Sequence, residues 1–278
     1  MGRQPEAPLR KPILISVLVS ALLLVLTAFL AMTMAWEVQA NQRSSAVAAA
    51  ASLRGASDQS ASRRALALRA TVAFFDSSDR VERREFDRFA LKITQAVPAV
   101  RSLNYIDPDL TIRWVVPTAG NEKIVNLSLR GLTGERLARL SARTGRLAVS
   151  DPIDLVEGGR GFLMILPIQG GGTITGYVEA VNQLERYIES LQLASLSQRY
   201  DVLLTDSRGA VLFGAAAPGE AVVREALPIG DRMWQLALWP RTTWWDQLPV
   251  IMVWLVGLLL WGGTMSLIWG DWFSSRRL

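Results

Sequence analysis

The chain has 278 residues, half of them hydrophobic, a formal net charge of +5, and neither cysteine nor histidine. Without Cys an exported domain has no disulfides and must be held by its own core. Without His the commonest general base and metal ligand are missing, so Cys/His zinc sites and Ser-His-Asp or Cys-His nucleophiles are excluded. No Asp-rich run has the alternation of a calcium loop, and Gly170-Gly171-Gly172 lacks the Lys-Ser/Thr of a phosphate loop. No catalytic residue, metal site or cofactor is therefore expected, and the chain reads as a non-enzyme.

In chain order, Pro12 to Trp36 is an uncharged apolar run between Lys11 and Glu37, and Gln247 to Gly270 is a second between Asp246 and Asp271. A bilayer core of ~30 Å needs about 20 apolar helical residues, and each run meets that length. The first run is longer than the core of a cleaved signal sequence, which favours a retained anchor. Residues 1–11 carry Arg3, Arg10 and Lys11 against Glu6, and residues 271–278 end with Arg276 and Arg277. Cationic flanks resist translocation. Both tails are expected in the cytoplasm of a bacterial cell, the main domain in the periplasm. Topology, rather than charge, excludes nucleic acid.

From Glu37 to Phe75 the sequence is rich in Ala, Ser, Arg and Gln and has no Pro, which reads as a long helix continuing from the first span. Val47, Leu53, Ala61, Leu66, Leu68, Val72 and Phe75 form an irregular apolar face without a sustained heptad. Two readings stay open: a helix that makes a homodimer, or one packed along its own domain. Glu82 to Gln95 has helical spacing at Phe86, Phe89, Ala90 and Ile93 and stops before Pro98. Strands are expected at Val100–Ile106 and Thr111–Val116, around an Asp107–Leu110 turn. A helix is expected at Gly134–Arg143, with Gly145 as its left-handed cap. After Leu147–Val149, strands at Gly161–Ile168 and Thr173–Val181 flank the glycine turn. A helix over Asn182–Ser197 precedes strands at Asp201–Thr205, Ala210–Phe213, Glu225–Ile229 and Met233–Trp239. The fold class is α+β, helices on antiparallel sheets.

The stretch from Phe86 to Tyr187 resembles the CHASE domain, a PAS-like extracytoplasmic sensor of bacterial, plant and amoebal receptors. The matching segments are Phe86–Ile93 followed by Pro98–Ile106, Thr144–Pro152, the Gly161–Ile168 strand with Pro167, Gly176-Tyr177-Val178, and Arg232–Leu236 with Pro240. The resemblance spans roughly residues 40–240. It implies tandem PAS-like antiparallel-sheet modules on a long N-terminal helix, flanked by two transmembrane helices. The expected divisions are 1–11 tail, 12–36 span, 37–75 helix, 76–190 membrane-distal module, 191–243 membrane-proximal module, 244–270 span and 271–278 tail. The family places small ligands in the distal module. Its acidic anchor matches a position near Gly134 and Glu135; its threonines match Ser150 and Ile165, and a leucine matches Val156. Polar contacts of a purine ligand are thus largely lost. The matching pocket is lined by Val115, Ser150, Val156, Leu163 and Ile165, which suits an apolar ligand or is plain core.

Eight of the ten tryptophans lie from Trp234 onward. Trp244, Trp245, Trp269 and Trp272 fall at the two interfaces of the second span, as an aromatic belt does. Trp254 and Trp261, seven apart and hence on one helix face, lie mid-span beside Gly257, Gly262 and Gly263, which permit close approach. Trp254, Trp261 and Gly257 are therefore expected to contact another integral membrane protein. A pigment-containing or respiratory complex is the kind of partner considered, besides the lipid bilayer. The leading functional expectation is an accessory or interaction subunit of a larger membrane complex. The alternative is a ligand-sensing module that signals through a partner, or one cut from a kinase or cyclase receptor.

Overall fold

In this computed structural model the described residues are 10–78, 80–241 and 243–274, with side chains described between 14 and 270. The charges at Arg3, Glu6, Arg276 and Arg277, the side chains of Arg10, Lys11 and Trp272, and Ser275 lie outside them. The chain forms two compact units, residues 46–241 and residues 1–45 with 242–278. Helix α1 (Arg10–Asp76) contributes to both.

In the larger unit, α1 buries Ala46, Ala50, Leu53, Ser57, Ala61, Arg64, Leu68 and Thr71. That three-to-four spacing is one helix face, and its small residues let the helix lie close to its neighbours. Val47 and Leu66, expected on the same face, are 51% and 68% exposed. Packing along its own domain, the second of the two open readings, thus accounts for the buried stripe. Helix α2 (Arg83–Ala96) starts where the Glu85 carboxylate accepts the Glu82 N–H at 3.1 Å, and it buries Phe86 and Ala90.

Strands β1 (Val100–Ile106) and β2 (Ile112–Val116) follow, joined by the expected turn, in which the Asp107 carboxylate accepts the Thr111 N–H at 2.8 Å. A single 3-10 turn at Glu122–Ile124 precedes helix α3 (Thr133–Thr144), whose Gly145 cap has φ +63°. Then come β3 (Ala148–Val149), β4 (Ile153–Asp154), β5 (Arg160–Gly170) and β6 (Thr173–Gln183). These six strands form one antiparallel sheet in the order β2-β1-β6-β5-β3, with β4 on the start of β5. Alternation divides it. Leu103, Phe162, Met164, Val178 and Ala180 join the core shared with α1 and α2; Ile106, Leu163, Ile165, Tyr177 and Val181 join a second core with α3.

The helix expected over 182–197 is instead two short ones, α4 (Leu184–Ser190) and α5 (Leu193–Leu196). Asn182 and Gln183 are held in the ladder opposite Phe162 and Gly161, and Gln192 takes φ +56°, which ends the helical turn. Strands β7 (Tyr200–Thr205), β8 (Val211–Gly214), β9 (Val223–Ile229) and β10 (Arg232–Pro240) make a second antiparallel sheet, β8-β7-β10-β9. The two sheets meet at an edge-to-face cluster of Phe162, Tyr187 and Trp234, with centroids 5.2–5.8 Å apart. They are also tied by polar contacts. The Val149 N–H donates to the Asp231 carboxylate at 3.0 Å, Arg232 Nε donates to the Val149 carbonyl at 2.9 Å, and Arg208 and Arg232 reach Asp151 at 3.5 and 3.7 Å. Beneath them the buried Arg64 guanidinium donates to Asn182 Oδ1, the Pro98 carbonyl and Ser60, and lies 4.8 Å from the Tyr187 ring centre.

In the smaller unit, α1 and helix α6 (Trp244–Ser274) are both long and apolar enough to cross a membrane. They touch through small and polar side chains. Trp261 Nε1 donates to Ser20 Oγ at 3.1 Å, Ser20 Oγ reaches Met265 Sδ at 3.6 Å, and Gly257 faces the Thr27 side chain.

Candidate functional site

The second core is not completely filled. Between the sheet face, α3 and the segments carrying the 3-10 turn and β4 lies a cavity of about 170 Å³. Its apolar wall is Ile112, Ile124, Leu127, Leu129, Leu132, Ile153, Leu155, Val156, Leu163 and Val181. Thr133 and Gly134 close it from the start of α3, where a Cβ on Gly134 would stand 3.0 Å from the Leu129 side chain. The space is open to solvent on one side, where Leu132 and Val156 are 41% and 49% exposed, and its volume is of the size that admits a small ligand.

Three acids interrupt that wall: Asp154, Glu157 and Glu179. Glu179 is 2% exposed. It sits on β6 opposite Asn104 of β1, whose Nδ2 donates to Glu179 Oε2 at 2.8 Å. Glu179 Oε1, Glu157 Oε1 and Asn104 Oδ1 are buried without a protein partner. Burial pushes the Glu179 carboxyl up to about 7, against the Asn104 hydrogen bond, which lowers it, and with the nearby Glu157 charge, which raises it. The rim is held by Arg101. Its guanidinium donates to Asn121 Oδ1 and to the carbonyls of Gly120, Glu157 and Gly158, at 2.8–3.1 Å, strapping two rim loops together.

Of the five residues expected to line a pocket, the structure brings Val156 and Leu163 to the cavity. Val115 and Ile165 are fully buried in the core around it. Ser150 is buried too, its Oγ accepting the Leu163 N–H at 2.9 Å and extending the β3–β5 ladder. Glu135, beside the matched acidic position, is turned back on its own helix start. Its carboxylate accepts the Gly131 N–H and pairs with Arg139, and these contacts hold it below the usual carboxylate range. Glu179 escaped the sequence reading. The visible signal was a lone acid at the inward-facing phase of Tyr177-Val178-Glu179-Ala180-Val181, a strand that glycine turns and alternation already identified.

Among the second-span residues expected to meet a partner, two also meet the chain's own first span. Gly257 and Trp261 contact Thr27 and Ser20 of the chain's own first span, because an indole N–H in an apolar setting takes the nearest acceptor. Trp254 is 43% exposed.

No protein-family model matches the chain, and no curated protein does. Solved structures do. The ligand-binding domain of the amino acid chemoreceptor PctC from Pseudomonas aeruginosa, in complex with GABA, superposes with a TM-score of 0.57 at 13% identity over 71% of this chain and 99% of that one. The sensory domain of the Campylobacter jejuni chemoreceptor Tlp3, with isoleucine bound, gives 0.53 at 9% identity over 76% and 96%. An extracellular ligand-binding receptor from Desulfohalobium retbaense gives 0.53 at 13% identity over 66% of this chain; here the chain spans 39% of its length. The fold is thus that of extracellular ligand-binding sensor domains, α+β and PAS-like, flanked in this chain by two apolar helices.

Proposed function

We propose that the chain is a non-enzymatic, membrane-anchored sensing module. It binds a small organic molecule in the cavity of the first sheet and passes the signal to another integral membrane protein. The observation that carries this reading is the cavity itself: a small, largely aliphatic space with a buried carboxylate in its wall, inside a fold that in PctC and Tlp3 holds amino acids. Segment 149–157 supports it physically. Its end lines the cavity, and its start, at Val149 and Asp151, is bonded to the second sheet. Ligand-dependent movement of one end therefore pulls on the other.

Within this fold the segments at 98–106, 144–152 and 161–168 favour the CHASE type. The periplasmic side follows from the basic flanks. It is tested by cysteine labelling: an impermeant reagent should label Ser128→Cys and spare Ser275→Cys in intact cells, and the opposite pattern reverses the topology. An accessory role in a larger complex rests on the exposed part of Trp254; co-purification in mild detergent that survives Trp254→Leu removes that support.

The main test is a thermal-shift panel of small organic compounds on the full chain in detergent. At least one compound should stabilise the wild type. Leu163→Trp, which fills the cavity, should abolish that shift. A panel that gives no shift, or shifts that survive Leu163→Trp, rejects the cavity as the sensing site.

A further inference from the structure

We infer that the cavity selects a primary aliphatic ammonium, its cationic head against Glu179 and Glu157 and its hydrocarbon body among Ile112, Ile124 and Leu163. This rests on the reading of the cavity as the ligand site and specifies the chemical class.

The charges in the wall are all of one sign. Asp154, Glu157 and Glu179 line the cavity, and no lysine or arginine does among the described residues. A ligand carrying a carboxylate would meet three acids and no basic side chain in the lining to pair with. Arg101, the cation bonded to the rim, has its guanidinium committed to four acceptors in the strapped loops.

Hydrogen-bond capacity points the same way. Glu179 lines the cavity, is buried, receives one donor from Asn104 and leaves Oε1 without a partner; Oε1 of Glu157, also in the lining, is buried without one as well. The surplus is of acceptors. An ammonium brings three donors and a positive charge, and hydrogen bonds from a cation to a carboxylate are the stronger kind. A metal ion is the poorer match. No group of three or more acids that could hold one occurs among the described residues, and hard cations want six or more oxygens. The rest of the lining is branched aliphatic, which suits a short branched chain rather than a second polar group.

The experiment uses four probes of one carbon skeleton: isoamylamine, isoamyl alcohol, isovalerate and L-leucine. Each is titrated calorimetrically into the full chain in detergent at about pH 8. Isoamylamine should bind; the alcohol should bind about tenfold or more weakly; isovalerate and leucine should not bind. Glu179→Gln should lower amine affinity about tenfold or more and alcohol affinity by clearly less. Glu157→Gln should give a smaller loss in the same direction. The inference is overturned if isoamylamine does not bind, if isovalerate or leucine binds as tightly, or if both variants keep wild-type amine affinity. If another compound class from the panel binds in a Leu163-dependent way while the amine does not, the charge assignment fails and the sensing reading stands. If no compound binds at all, both fail.

Discussion

Replacing Glu179 by glutamine removes a buried ionisable group while keeping its shape and its acceptor for the Asn104 amide. Burial, partly offset by that amide, pushes the Glu179 carboxyl up to about 7, against about 4.3 for an exposed glutamate. The ionisable side chains that line the cavity with it, Asp154 and Glu157, are both acids; β5 and α3 present Leu163 and Gly134 there, and Asn104 of β1 bonds Glu179 from behind the wall. Below about pH 4 the folded and unfolded chains both carry the proton, and the group has no effect on stability. Between about 4.3 and about 7 the folded chain keeps a proton that the unfolded chain has released, so stability falls as pH rises. Above about 7 the penalty is complete. At about 1.4 kcal/mol per pH unit it amounts to about 4 kcal/mol. Glutamine escapes it. The variant should therefore match the wild type near pH 4 and exceed it by about 4 kcal/mol at pH 8. For a folded unit of this size that is a gap in Tm of about 8–16 °C. Thermal unfolding of both full chains in one detergent, followed by circular dichroism from pH 4 to 8.5, reads the gap directly. A gap that does not change with pH, or a wild type more stable than the variant at pH 8, refutes the buried, raised carboxyl.

Three other substitutions probe the frame around the site. Trp234→Ala empties the centre of the Phe162–Tyr187–Trp234 cluster and should cost about 3–5 kcal/mol in thermal unfolding. Gly161→Ala puts a Cβ against the Asn182 carbonyl and 2.6 Å from Leu155 Cδ1, at the foot of the cavity, and should cost about 1–3 kcal/mol; a neutral result would show that β4 and β5 yield freely. In the spans, Trp261→Phe combined with Ser20→Ala in a double-mutant cycle should give a coupling of about 0.6 kcal/mol for the indole–hydroxyl bond, with no coupling if each helix contacts lipid alone.

Hairpins and helices near their sequence-read bounds share a local cause. The β5–β6 hairpin follows from Gly171 and Gly172, both at positive φ, between two apolar runs. Helix α3 ends at Gly145, whose left-handed backbone (φ +63°) forms its cap. Misplaced elements had non-local causes. Asn182 looked helical by position but is tied to Arg64 of α1 and to the β5 ladder, both remote in sequence. The two-residue strands β3 and β4 exist only because β5 passes beside them. Among expected site residues, Val156 and Leu163 reach the cavity while Val115 and Ile165, equally apolar, are core. Residue type does not distinguish a wall from a filling.

The sequence by itself determined the two spans, the long helix, the α+β class and the absence of Cys and His chemistry, because apolar length, periodicity, turn residues and composition act within a short stretch of chain. Only the tertiary structure decided that a cavity lies beneath α3, that Glu179 is shut inside its wall, and that Gly257 and Trp261 face the first span. Burial is set by which surfaces come together across the fold. A carboxylate 75 residues along the chain from its partner, or an indole on another helix, acquires its desolvation and its hydrogen bonds only when they do.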